Sequence, residues 1–333
     1  MTTVTMRQNT GRYALAQHGR RLEVATEQNH KWIVLSRRCG RLANRLVVFA
    51  NFAAMAEEQG HSLINCTFHS YASLFEATRR DIYCRYPVAK RRSLWDAVPG
   101  ASNVVRSSRV LYRASRAASG LQQRWSVGGK SMVTLGESPG QLITALDCPE
   151  VQETIRDAKV VFVNGWNFRA PTWVERHAEA LRQYFRPVAE FEQAAGSVVE
   201  SLRREADVVV GVHIRHGDYR TWKNGCYFYD VERYVRWMHE LTEQYPGRSV
   251  AFFVCSDEPR TPQEFRGLTV GLGAGSPLGD LTALAKCDCL FGPMSTFSQW
   301  ASFYGNKPLF QFPDGNASFE TSNFRVSLLR EIP

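Results

Sequence analysis

The sequence predicts an α/β protein of two domains, and three observations predict it. At 333 residues the chain exceeds the comfortable size of one hydrophobic core. Short β-branched runs alternate with longer stretches of helical spacing, the pattern of sheets covered by helices. The run Val208, Val209, Val210, Val212 and Ile214 is apolar throughout, as a parallel strand buried on both faces requires. The expected division is 31–190 and 191–333.

In chain order, residues 1–30 lack periodicity and read as a loosely packed tail. Lys31–Ser36 is a short apolar strand. Asn44 is expected to open a helix with Leu46, Val47, Phe49, Ala50, Ala53 and Ala54 at helical spacing, and Gly60 to stop it. His61–Phe68 reads as the next strand, completing a βαβ unit. Tyr71–Phe75 fits a helical turn, and Arg79–Ser126 carries no clean period. Val127-Gly-Gly-Lys130 lacks the spacing of a full phosphate loop and reads as a turn. Val160–Gly165 is a strand, and Trp173 to about Glu205 a helix broken near Pro187. Beyond the central strand, Trp222–Phe228 is an aromatic loop, Asp230–Tyr245 a helix, Ser249–Cys255 a buried strand and Gly267–Gly273 a shorter one. Leu278, Leu281, Leu284 and Ala285 mark a further helix, with Asp288 at its end, then a strand at Cys289–Phe291 and a closing strand at Lys307–Phe312.

Three stretches carry chemistry. The central strand ends in His213, Arg215, His216 and Asp218, at the edge where open α/β sheets bind ligands. Arginine suits phosphate because its planar fork donates parallel hydrogen bonds and keeps its charge. By itself His-x-Arg fits a structural strand end equally well. Gly40, Arg41 and Asn44 lie beside an expected helix N-terminus, where free N–H groups favour anions. A loop glycine, a surface arginine and a cap would look the same. Ser295, Thr296 and Ser298 follow Gly292-Pro-Met at another helix start, which serves either as a plain cap or as an anion cradle.

Taken together, these stretches resemble the GDP-fucose-dependent fucosyltransferase superfamily, which includes α1,2-, α1,6- and protein O-fucosyltransferases. The segment Val212–Tyr219 resembles its His-x-Arg-Arg-x-Asp signature, Gly40–Arg45 its Gly-Arg-Phe-Gly-Asn-Gln loop, and Asp280–Trp300 its segment ending in Ser-Thr-Phe-Ser-x-Trp. Their order and spacing match over roughly 33–312. The resemblance implies a GT-B fold: two Rossmann-like domains facing each other across a cleft, the first on the acceptor side and the second binding the nucleotide sugar. It implies inverting transfer of L-fucose from GDP-fucose to a glycan or glycoconjugate hydroxyl. No Asp-x-Asp metal motif stands at a strand end, so metal-independent transfer with no cofactor and no metal is expected, Arg215 supplying the positive charge of a divalent ion. Carried over by position, Arg215 would hold the β-phosphate, and His213 and Asp280 would contact guanine. Ser295, Thr296 and Ser298 would bind the diphosphate, Gly40 would join them in binding the donor, and Arg41 and Asn44 would sit across the cleft near the sugar and acceptor. Asp218 is the candidate base nearest in sequence. The departures are His216 for the second signature arginine, and Ala43 and Arg45 for Gly and Gln. Another nucleotide sugar, or an inactive sugar-binding relative, remains open.

Hydrophobic residues at 44% and charged residues at 22% describe an ordinary globular protein. The net charge of +9 fits an anionic ligand, nucleic acid or an anionic membrane. Much of it lies in Arg79–Arg92 and Arg106–Arg124, where a solvated basic face is the plain explanation. Nucleic-acid binding is disfavoured because no recognition motif accompanies the charge; peripheral contact with an anionic membrane is kept as an expectation. The eight cysteines form no Cys-x-x-Cys pair, which argues against a zinc site or a disulfide framework. No stretch reads as a signal peptide or a membrane span, so a cytoplasmic location is expected.

Overall fold

The computed structural model describes residues 30–88, 101–137, 140, 142–312 and 323–331. The expected N-terminal tail and the end of the first basic run lie outside them. The first half runs β1 (Trp32–Leu35), α1 (Leu42–Gln59), β2 (Ser62–Asn65), β3 (Arg85–Tyr86), α2 (Ala101–Trp125), β4 (Met132–Gly136), β5 (Thr144–Ala145), α3 (Pro149–Ile155), β6 (Val160–Asn164), β7 (Phe168–Arg169), α4 (Pro171–Arg176) and α5 (Ala178–Tyr184). The second runs α6 (Ala189–Arg203), β8 (Val208–Ile214), α7 (Val231–Glu243), β9 (Val250–Ser256), β10 (Thr269–Leu272), α8 (Pro277–Leu284), β11 (Cys289–Pro293), α9 (Thr296–Gly305) and β12 (Leu309–Phe312).

Each half is organised on a five-stranded sheet, ordered β3-β2-β1-β6-β4 in the first and β10-β9-β8-β11-β12 in the second. All pairings are parallel except that of β3, a two-residue edge strand. β8 is central and all seven of its residues are buried. Its pleat sends Val208, Val210, Val212 and Ile214 into a cluster with Tyr234, Trp237 and Phe312, and Val209 into the core on the other face. Full burial of each such side chain is worth roughly 1.5–3 kcal/mol.

α1 is buried from Leu42 to Ala56 on nearly every side, as expected of a helix apolar all round. Its alanines let α4 and β2 of its own half and α9 of the other half pack close. One apolar cluster therefore runs from Ile33 and Phe49 through Phe185 to Trp300 and Phe303, with Phe185 and Trp300 edge-to-face at 5.0 Å.

Five expectations change. The strand expected over 61–68 stops at Asn65, whose side chain accepts from Thr67 N–H and starts a 3₁₀ turn over 66–70. α1 begins at Leu42 with Arg41 at the cap position, so Asn44 lies in its first turn and does not open it. Arg79–Ser126, unreadable by period, contains the 25-residue α2. The stretch 173–205 is three helices, because Pro187 and the turn at His177 interrupt it. Asp288 lies beyond α8, where its carboxylate accepts two bonds from Arg203 and one from Val209 N–H. It ties α6 to the sheet. Gly60 ends α1 and Val127–Lys130 forms turns, both as expected. No helix among the described residues is long and apolar enough to cross a membrane.

Candidate functional site

The carboxyl edge of the second sheet gathers most of the residues singled out in sequence. β8 delivers His213 and then Arg215. The His213 ring is 4% exposed, lies 4.9 Å from the Phe297 ring, and leaves Nδ1 without a partner. Burial, then the neighbouring Arg215 charge, push its pKa down to about 3, so the ring is neutral. Arg215 bonds Asp218 Oδ1 through Nη2 at 2.7 Å and Nε at 3.0 Å, and lies 3.3 Å from Asp257 Oδ2. Asp257 is fixed at its other oxygen by His216 N–H, 2.8 Å away. The Asp218 side chain, 58% exposed, has Arg215 as its partner. That carboxylate is thus engaged by the guanidinium that the sequence reading assigned to phosphate.

His216 is buried at 3% exposure. Its Nε2 faces the Tyr229 carbonyl at 2.7 Å and its Nδ1 faces Arg260 Nη2 at 2.8 Å. The carbonyl needs an N–H and the guanidinium a lone pair, which selects the Nε2-protonated tautomer. A permanent charge therefore stands beside position 216, carried by Arg260 and balanced by Glu258 and Glu264.

α9 starts at the same edge. Ser295 Oγ accepts from Phe297 N–H at 3.2 Å, and Ser298 Oγ bonds back to the Ser295 carbonyl at 3.1 Å. Gln311 of β12 donates to Pro293 O, Ser295 O and Ser298 Oγ, and the Tyr219 hydroxyl to Met294 O at 2.6 Å. The helix entrance is thus braced on three sides. Asp280, in the first turn of α8, is 6% exposed. Burial pushes its carboxyl up to about 6 against the N–H groups of Ala274 and Gly275 that favour the anion. It borders Cys255, the register partner of His213, without a direct bond to the imidazole.

The first half contributes a cavity of about 250 Å³ at the carboxyl ends of β1, β4 and β6, lined by Arg37, Arg38, Cys39, Gly40, Asn44, Glu137, Gly165 and Trp166. Gly40 has φ +49°, and a Cβ there would fall 2.0 Å from Asn44 Nδ2, so only glycine fits. Arg45 clamps the loop, reaching Gly40 O at 3.3 Å, Thr67 O at 3.1 Å and Ser70 Oγ at 2.9 Å. Arg41 is exposed at the start of α1. Arg38 reaches His69 Nε2 at 2.6 Å and stacks over Tyr112.

Glu137 went unnoticed in sequence. Its Oε1 accepts from Trp166 N–H at 2.7 Å, while Gly165 leaves room: a Cβ there would meet Glu137 Cγ at 2.7 Å. Arg169, also missed, lies behind the cavity at 1% exposure. Its Nη1 donates to Trp166 O and Phe168 O, and Nε and Nη2 have no partner. Glu57 and Glu58, at the far end of α1, bind Tyr86 and the Arg176–His177 pair. The two edges meet where Thr296 Oγ1 donates to Asn44 Oδ1. Asn44 is thus both a wall of the first-half cavity and a neighbour of the α9 entrance.

Two Rossmann-like sheets meeting at their carboxyl edges define the GT-B fold, an architecture of nucleotide-sugar transferases. No family model matches the chain. Its sequence is similar to Nodulation protein Z of Azorhizobium caulinodans, at 31% identity over 134 residues, covering 29% of this chain and 38% of that protein. The matched region is thus well under two thirds of the relative's length. Among solved structures it is similar to a mutant of Arabidopsis thaliana FUT1 in complex with GDP, with a TM-score of 0.57, 13% identity, and coverage of 89% of this chain and 73% of that one. NodZ alpha-1,6-fucosyltransferase co-crystallized with GDP gives a TM-score of 0.47 at 16% identity, covering 85% and 95%. The FUT1 likeness is one of fold.

Proposed function

We propose that the protein is an inverting, metal-independent glycosyltransferase that moves L-fucose from GDP-fucose to a hydroxyl of a glycan or glycoconjugate. Residues 191–333 hold the donor and 31–190 receive the acceptor. The observation that carries this reading is the Thr296–Asn44 hydrogen bond, which sets the α9 entrance against the cavity that holds Glu137. The sequence likeness to Nodulation protein Z and the three matching motifs support fucose as the sugar.

In this reading the diphosphate lies at the α9 N-terminus, where free N–H groups and the Ser295 hydroxyl donate to its oxygens, while the Thr296 hydroxyl keeps its proton on Asn44. Arg215 exchanges Asp218 for a phosphate oxygen, and its charge stabilises the developing leaving group. His213 offers its free Nδ1, and Asp280 its carboxylate, to the base. The acceptor hydroxyl enters from the first half. Its oxygen bonds to the sugar's anomeric carbon as the carbon–phosphate oxygen bond breaks, and the electron pair leaves on GDP. The proton passes to Glu137, the cavity's carboxylate, which keeps Oε2 available while Trp166 N–H holds Oε1. With the base on one half and the leaving group on the other, attack comes from the face opposite the departing GDP, which inverts the anomeric centre.

The test is calorimetry with GDP and UDP, followed by donor hydrolysis over GDP-fucose and other GDP- and UDP-sugars. GDP binding and preferred turnover of GDP-fucose are expected. Turnover of another sugar instead would remove fucose from the reading, and absence of any nucleotide binding would remove the reading itself.

A further inference from the structure

We propose that the outer face of α2 docks on an anionic lipid surface. From Ala101 to Gly136 the chain has no Asp or Glu and carries Arg106, Arg109, Arg113, Arg116, Arg124 and Lys130. Six positive charges in this segment, against a chain total of +9, make it the most one-sided part of the molecule.

α2 holds to the first half by Tyr112, Ser115, Ser119 and Gln122: Ser119 is 1% exposed, and Gln122 bonds Met132 O and Thr134 Oγ1 at 2.9 and 2.6 Å. The opposite face shows an apolar stripe. Val110, Ala114, Ala117, Leu121 and Trp125 recur every three or four residues, so they lie on one side of the helix. Val110 is 61% exposed, Leu121 53% and Trp125 67%. Arg109, Arg113, Arg116 and Arg124 are exposed alongside them. Among the described residues nothing covers this stripe.

The charge pattern selects the occupant. A second copy would bring a like-charged face. The segments 1–29 (four basic, two acidic) and 89–100 (three basic, one acidic) are each net +2 and would also be repelled. The acidic segment 313–322 follows β12, and Arg325 just beyond it pairs with Leu309 of β12, so both described residues that bracket it belong to the other half. Nucleic acid would satisfy the arginines and leave the valine, leucine and indole against phosphates. An anionic bilayer takes both: headgroup phosphates meet the guanidinium groups, and the stripe enters the acyl boundary, with Trp125 at the depth an indole prefers. Arg38, a wall of the first-half cavity, stacks over Tyr112 at 4.3 Å on the inner face of α2, so the helix stands between that cavity and the docking stripe.

The test is flotation of the full chain with vesicles of phosphatidylcholine alone or mixed with phosphatidylglycerol. Flotation with the mixed vesicles only, lost in about 1 M salt, is expected. Arg113→Ala/Arg116→Ala/Arg124→Ala should lower partitioning roughly a hundredfold, and Leu121→Ser/Trp125→Ser roughly tenfold or more. All five side chains are exposed, and circular dichroism checks that the variants stay folded. Absence of flotation at low salt, equal flotation with the neutral vesicles, or unchanged binding of the Leu121/Trp125 variant would overturn the proposal. The last result, joined to competition by heparin or RNA, would instead mark a polyanion site.

Discussion

Replacing Glu137 with glutamine tests the proposed chemistry with little disturbance to the fold. The amide keeps the side-chain length and an oxygen for Trp166 N–H, now 2.7 Å from Oε1. Losing the charge on that exposed bond costs about 1 kcal/mol or less of stability. What disappears is the ability to take a proton. A positioned general base is worth about 10²–10⁴ in rate, or roughly 3–5 kcal/mol of barrier. The expected result is a fall of that size in kcat for fucosyl transfer, with the GDP Kd, read by calorimetry, changed less than about twofold. Asp218→Asn is the companion experiment. It keeps a hydrogen-bonding oxygen toward Arg215, and should leave kcat within about tenfold of wild type. A Glu137→Gln enzyme working within about threefold of wild type, or an Asp218→Asn enzyme that is dead while still binding GDP, would refute the assignment.

Arg215→Ala should reduce turnover about 10²–10³-fold, the usual cost of removing a donor to developing negative charge. The fold should persist, because Asp257 keeps its bond from His216 N–H and Asp218 is mostly exposed; thermal melting and single-turnover kinetics read the two effects separately. Asp280 has a folded pKa of about 6 above its ordinary 3.8, so the folded state favours the protonated form. Its contribution to stability is complete below pH about 4 and lost as pH rises through about 6. Asp280→Asn should therefore raise stability above that pH, by an amount on the order of 3 kcal/mol, and weaken GDP binding; denaturant melts across pH and calorimetry check both. Gly40→Ala places a methyl 2.0 Å from Asn44 Nδ2 at a left-handed φ. It should cost about 1–3 kcal/mol and disturb the Asn44–Thr296 bond, measurable by melting and by a raised acceptor KM.

Legibility in the sequence followed how far each signal is local. β8, β9 and β1 were readable because central parallel strands are apolar in an unbroken run. The α9 entrance was readable because its hydroxyls stand together in the chain. α2 was not, because it turns Ser115, Ser119 and Gln122 inward and Val110, Leu121 and Trp125 outward, the reverse of the pattern that marks a helix. Asn44 looked like a cap because small polar residues usually are; its bond to Thr296, across 252 positions, has no local trace. Glu137 is a lone acid after a strand with one buried residue, Leu135. Its place in the cavity comes from pairing β4 to β6, with Gly136 opposite Asn164.

The apolar cluster that runs without interruption from one sheet to the other has a bearing on traffic through the cleft. Swinging the two sheets apart would drag Phe185 from Trp300 and strip α1 from α9, wetting side chains that are 0–1% exposed. It would also break the bonds from Arg182 to Phe303 O and Asn306. In the proposed reaction, product nucleotide would therefore leave past the rim beside the exposed Asp218, while the scaffold behind it stays shut.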